Sequence, residues 1–101
     1  MNYLPLFLNI RNQTCLVVGG GAVAARKAAL LLQAGATLRI VAPHLDRSFE
    51  LPQGSEYLAQ RFHPGHLDGV ALVIAATDDA AVNADVSQAA RLRNLPVNVV
   101  D

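Results

Sequence analysis

A chain of 101 residues with 52% hydrophobic and only 16% charged side chains has room for a single buried core and is too apolar for disorder. Its eight basic and eight acidic residues cancel and are scattered singly, which excludes a basic stripe for a nucleic-acid backbone as well as an acidic tail. One cysteine excludes an internal disulfide and suits a reducing cytoplasm, and no apolar run approaches the ~20 residues of a membrane span.

In chain order, the start MNYLPLFLNIRN lacks the charged n-region of a signal peptide, and residues 4–10 can form a short extended segment before a polar turn at Arg11-Asn12-Gln13. Thr14–Val18 is a continuous β-rich apolar run, the pattern of a strand buried on both faces. Its cysteine, Cys15, therefore reads as a packed side chain and not a reactive one. Gly19-Gly20-Gly21 ends the run, and residues 22–34 read as a helix whose seam is Ala24, Ala28 and Leu31. Gly35 stands where a left-handed cap is required. A second strand is expected over 37–42, stopped by Pro43, and residues 44–55 read as connection with at most one helical turn. A weaker strand follows over 56–62, Pro64-Gly65 forces a turn, and 70–76 is another fully apolar strand. Residues 79–94 form a second long helix with Val82, Val86, Ala89 and Ala90 inward. Pro96 ends it, and a last strand covers 97–100.

Strands alternating with crossover helices predict an α/β domain of the Rossmann type spanning residues 1–101, with a parallel sheet in the order 3-2-1-4-5 and helices on both faces. Ligands of such sheets lie at the carboxyl ends of the strands, so the loops after Val18, Ala42, Ala76 and Val100 are the ones to read. The first loop, Gly19-Gly20-Gly21-Ala22-Val23-Ala24, fits G-x-G-x-x-[GA] between a strand and a helix. Gly19 is expected to make the tight turn, Gly21 to let a pyrophosphate approach, and the amides of Ala22 and Val23 to donate to it at the positive end of the helix. The carboxylate that usually holds the adenosine ribose is missing, because the end of the second strand reads Val41-Ala42-Pro43-His44. Backbone groups around Ala42 to His44 must serve that end, and Arg47 is the candidate for a 2′-phosphate, set against the plainer reading of a solvated loop residue. The histidines of His63-Pro64-Gly65-His66 have no partner cysteine or carboxylate beside them and read as a solvated turn, so no metal site is expected. Asp78 and Asp79 at a helix start are by default a cap and a dipole partner.

The runs CLVVGGGAVAARKAALLLQAGATLRIVAP, ALVIAATDDAAVNADVSQAA and PVNVVD resemble the N-terminal NAD-binding domain of siroheme synthases, over essentially the whole chain. The likeness includes features the fold does not demand: Arg26-Lys27, the Ala76-Thr77-Asp78-Asp79 turn, Val82-Asn83, and Asn98-Val99-Val100-Asp101. It implies an oxidoreductase that converts precorrin-2 to sirohydrochlorin with NAD and, acting as a chelatase lyase, inserts ferrous iron to give siroheme. The parent chain would be a cytoplasmic homodimer, multifunctional where it continues into a uroporphyrinogen methyltransferase, and this chain would be its N-terminal part, inactive by itself. Position by position, the resemblance assigns Ala22 and Val23 to the pyrophosphate, Pro43 and His44 to the adenosine side, Thr77 and Asp78 to the cofactor border, and Asp101 to the catalytic base. Dehydrogenation releases a proton beside the hydride, and metal insertion releases pyrrole protons, so one carboxylate can serve both steps. Two other readings of the residues remain: a regulatory NAD-binding module such as a potassium-transporter gating domain, which usually carries the missing acid, and a purely structural α/β domain.

Overall fold

The computed structural model describes residues 6–100. Five strands, β1 (Thr14–Val18), β2 (Thr37–Val41), β3 (Glu56–Leu58), β4 (Leu72–Ala75) and β5 (Val97–Val99), form one sheet in the order β3-β2-β1-β4-β5. Every pairing is parallel, with Cys15 opposite Leu38 on one side and Leu72 on the other. β1 is central and covered on both faces, which explains its unbroken apolar run. The order and direction are those the alternating pattern predicts.

The two helices, α1 (Ala22–Gln33) and α2 (Ala80–Leu92), lie on opposite faces. α1 sets Ala24, Ala28 and Leu31 against Cys15, Val17, Leu38 and Ile40, while α2 sets Val86 and Ala90 against Leu16, Val18, Val73 and Ala75. Small residues on both helices let them lie close to the sheet. Burial pushes the Cys15 thiol above its ordinary value, only partly offset by a backbone hydrogen bond at Leu72, so it stays a neutral packed group. Past α1, Gly35 takes φ +86° and the Ala36 N–H reaches back to Leu31 O at 3.1 Å, the closure expected of a glycine there. Among the described residues no helix is long and apolar enough to cross a membrane.

Several expected boundaries change. Of the short extended segment expected over residues 4–10, positions 4 and 5 lie outside the described residues and 6–10 join no strand of the sheet; Leu6, Phe7 and Leu8 are exposed, and Ile10 alone joins the core. β3 stops at Leu58 and not at 62, because the Gln60 N–H turns back onto Leu58 O at 2.9 Å and takes the chain out of the ladder. β4 begins at Leu72, since the Val70 N–H is committed to Leu67 O at 3.2 Å. No helical turn forms between β2 and β3; instead Leu45, Phe49 and Leu51 pack onto the face that α1 leaves uncovered. The Pro64–Leu67 segment is a 3-10 turn that inserts Leu67 into the α2-side core. Arg39 on β2 holds it there, donating to His66 O and Asp68 O at 2.7 Å each while its Nε pairs with Glu56 at 2.6 Å.

Candidate functional site

A cleft of about 1090 Å³ opens at the carboxyl edge of the sheet, where the chain passes from β1 outward to β2 on one side and β4 on the other. All three loops singled out at the ends of β1, β2 and β4 meet in it. Gly19, Gly21, Ala22 and Val23 form its floor, Pro43 and His44 one wall, and Thr77 and Asp78 the other.

The floor is built by crowding. Gly19 has φ +135°, and a Cβ there would sit 2.4 Å from Ala76 O, so the turn closes against the end of β4. Gly20 is tighter still: a Cβ would lie 1.8 Å from His44 O. The Asp46 N–H donates to Gly20 O at 2.6 Å, drawing the β2 loop across this position. The motif treats Gly20 as a free position, and this structural role was missed; a glycine at the free middle position of the run was its only sign. Around Gly21, by contrast, a Cβ would meet nothing within 4 Å. Its open side belongs to the cleft.

Gly21 is also the N-cap of α1, and the helix start is left electrically unanswered. No side chain caps it and its first turn contains no acid; the first helical bond is Ala25 N–H to Gly21 O at 3.0 Å, after the amides of Ala22 and Val23. α2 is treated in the opposite way. Asp79 caps it, accepting from Ala81 N–H at 2.9 Å and from Val82 N–H at 3.4 Å. One helix carries its own anion, and the other points bare amides into a cleft.

The β4 wall is fixed by a residue that sequence reasoning used only as a mark of resemblance. Asn83 is the one buried polar side chain among the described residues, and all its polar atoms go to Thr77. Its Oδ1 accepts from the Thr77 hydroxyl at 2.6 Å and from the Thr77 N–H at 3.1 Å, and its Nδ2 donates to Thr77 O at 3.0 Å. The Thr77 hydroxyl in turn accepts from the Asp79 N–H at 3.2 Å. Thr77-Asp78-Asp79 is thus a rigid corner that presents the Asp78 side chain, exposed, to the cleft. Beyond it a smaller groove of about 420 Å³ continues between the first half of α2 and β5.

On the β2 wall no carboxylate lines the end of the strand, as its residues dictate. The Tyr57 hydroxyl donates to Ala42 O at 3.0 Å and holds that loop against β3. Arg47 does not line the cleft. It sits in a turn closed by Asp46, whose Oδ1 accepts from the Ser48 N–H at 2.9 Å and hydroxyl at 2.7 Å; the first of these bonds, then the second, holds the Asp46 carboxyl below its ordinary range. His63 and His66 spend their Nδ1 atoms on the 3-10 turn, accepting from Gly65 N–H and His63 N–H, both at 2.9 Å. Asp101 lies outside the described residues. Its neighbour Val100 lines the cleft and donates its N–H to Ala75 O at 2.9 Å.

Comparison with known proteins points the same way. A family model described as putative NAD(P)-binding matches residues 6–101. A siroheme synthase of Nitrosomonas eutropha is 54% identical over the whole of this chain, and those of Methylobacillus flagellatus and Photobacterium profundum are 52% and 51% identical. In each case the chain spans only 22% of the relative's length. Among solved structures, SirC, a precorrin-2 dehydrogenase, superposes with a TM-score of 0.70 at 26% identity, over 84% of this chain and 44% of its own.

Proposed function

The chain belongs to the family of putative NAD(P)-binding domains, and from that premise we propose that its cleft holds NAD with the pyrophosphate over the start of α1. The uncapped α1 terminus beside the open face of Gly21 carries this reading: a dianion there meets free amides, a favourable dipole and no carboxylate from the helix's own first turn. Gly19, Gly21, Ala22 and Val23 would hold the pyrophosphate, Pro43 and His44 the adenosine side, and Thr77 and Asp78 the border towards the nicotinamide. Gly21→Val is the test. The branched side chain has room in the protein and enters only the cleft, so the fold survives with a cap loss of about 1 kcal/mol. Calorimetry should show NAD affinity falling by more than about tenfold. Unchanged affinity would remove the loop from the site.

The relatives' names carry the proposal further. This chain would be the dinucleotide-binding part of a protein that oxidises precorrin-2 to sirohydrochlorin and then inserts ferrous iron, with tetrapyrrole and iron as substrates. The longer protein would be a cytoplasmic homodimer. When bound, NAD supplies the hydride acceptor for the dehydrogenation. The residues of the chain do the rest: the floor fixes the dinucleotide, the Asn83-braced corner keeps Asp78 at its border, and Asp101 takes the proton. Position 101 follows directly on a cleft residue, which supports this assignment. Losing a positioned base costs roughly 10²- to 10⁴-fold in rate. Asp101→Ala in the longer protein should therefore abolish both dehydrogenation and iron insertion while NAD binding persists. Loss of one reaction alone would refute a shared base.

A further inference from the structure

We infer that the cleft carries a second anion subsite on its β3 wall, centred on Arg61, which takes the 2′-phosphate of NADP and sets how well that dinucleotide is accepted beside NAD. The inference rests on the dinucleotide reading of the cleft.

Register places the residue. Val41 pairs with Leu58, so the segments that leave the two strands, Pro43-His44 and Gln60-Arg61, emerge side by side at the carboxyl edge. The Ala42 N–H bond to Leu58 O at 3.2 Å and the Tyr57 hydroxyl on Ala42 O bind these strand ends together. Both segments line the cleft, and among the described residues Arg61 is the only lysine or arginine that does. The adenosine ribose of a dinucleotide whose pyrophosphate lies over α1 reaches the end of β2. Arg61 stands in the segment that leaves the next strand out.

Charge supports the same assignment. Among the described residues, the acids that line the cleft, Asp78, Asp79 and Asp85, all belong to the β4–α2 side. None lies at the end of β2, where a carboxylate would accept from the ribose hydroxyls and repel a 2′-phosphate. Asp46, the first acid after β2, does not line the cleft and is turned onto Ser48. The ion pairs among the described residues are Arg39–Glu56 and Arg93–Asp68, so no carboxylate of the described residues claims Arg61. Its neighbour Gln60 is committed, with Oε1 against His66 Nε2 at 2.9 Å. A guanidinium at this place offers a forked pair of donors to a phosphate. Because it is exposed, it tunes acceptance of NADP and leaves NAD preferred.

Calorimetric titration of NAD and NADP into the chain and its Arg61→Gln, Arg61→Lys and Arg47→Gln variants, at low and high salt, tests this. Arg61→Gln should weaken NADP about five- to tenfold and leave NAD within about twofold, with an effect that shrinks as salt screens it. Arg61→Lys should fall between, because it keeps the charge and loses the fork. Arg47→Gln should change neither affinity. The inference is overturned if Arg61→Gln leaves NADP untouched, as it would were Arg61 reserved for a carboxylate of another substrate. It is equally overturned if NAD and NADP weaken together, since the contact would then be to a group both share. A wild-type chain that binds neither dinucleotide would overturn the cleft reading itself.

Discussion

At the scale of single residues, the glycine run shows what local pattern conveys and what it does not. The spacing of Gly19, Gly21 and Ala24 marks a strand-to-helix turn because φ and helix approach are local demands. The demand on Gly20 is not local, for it arises where the β2 loop returns across the turn with His44 O. Asn83 was hidden for a different reason: its three bonds all go to Thr77, six residues earlier in the loop that leads into its own helix, and no periodicity or capping pattern marks that pairing. Asn83→Ala would leave the Thr77 N–H and carbonyl unpaired at about 1–3 kcal/mol. A melting-temperature loss of roughly 4–8 °C per kcal/mol should accompany it. If the corner shapes the cleft, NAD affinity must fall as well, by several-fold. Val86→Ala, one turn further along α2 and wholly buried in the core, is the control: it should cost comparable stability and leave NAD affinity unchanged. Equal loss of affinity in both variants would reduce Asn83 to a stability residue.

Among the elements, the two long helices and the central strands were legible because their periods run over many residues and their faces are bounded by Gly or Pro. β3 was not, since its length is set by the turn at Gln60 and not by its apolar content. The 3-10 turn at Pro64–Leu67 carries a pH signature. Burial first, then the charges of His63 and Arg39, lower the His66 pKa from its ordinary value, and Glu56 opposes them only in part. Protonation would also convert Nδ1 from acceptor to donor and break its bond from the His63 N–H. The folded state thus binds this proton less readily than the unfolded chain. Its stabilising contribution is complete above about pH 6.5, and is lost as the pH falls from there through the depressed value. Melting curves at pH 7.5 and 5.5 should show a lower Tm at the acid value, and the difference should narrow in His66→Gln. A drop of the same size in the variant would place the effect elsewhere.

Across the whole molecule, the order β3-β2-β1-β4-β5 follows from strands alternating with crossover connections, which pack back on the sheet in one hand only. That order brings loops more than fifty residues apart in sequence, roughly the spacing from Gly19 to Thr77, to one edge. The location of the cleft could therefore be reasoned from the sequence, whereas which basic side chain enters it could not. Arg47 and Arg61 are both loop residues of similar composition around them, and only the three-dimensional path of the β2 and β3 ends separates them. The most direct measurement is an NMR titration of the isotope-labelled chain with NAD, following every backbone amide. Saturable shifts should concentrate on Gly19 to Val23, His44, Thr77 and Asp78, three loops responding together at one edge of the sheet. Shifts confined to the groove between α2 and β5, spread without a centre, or absent at millimolar NAD would contradict the account.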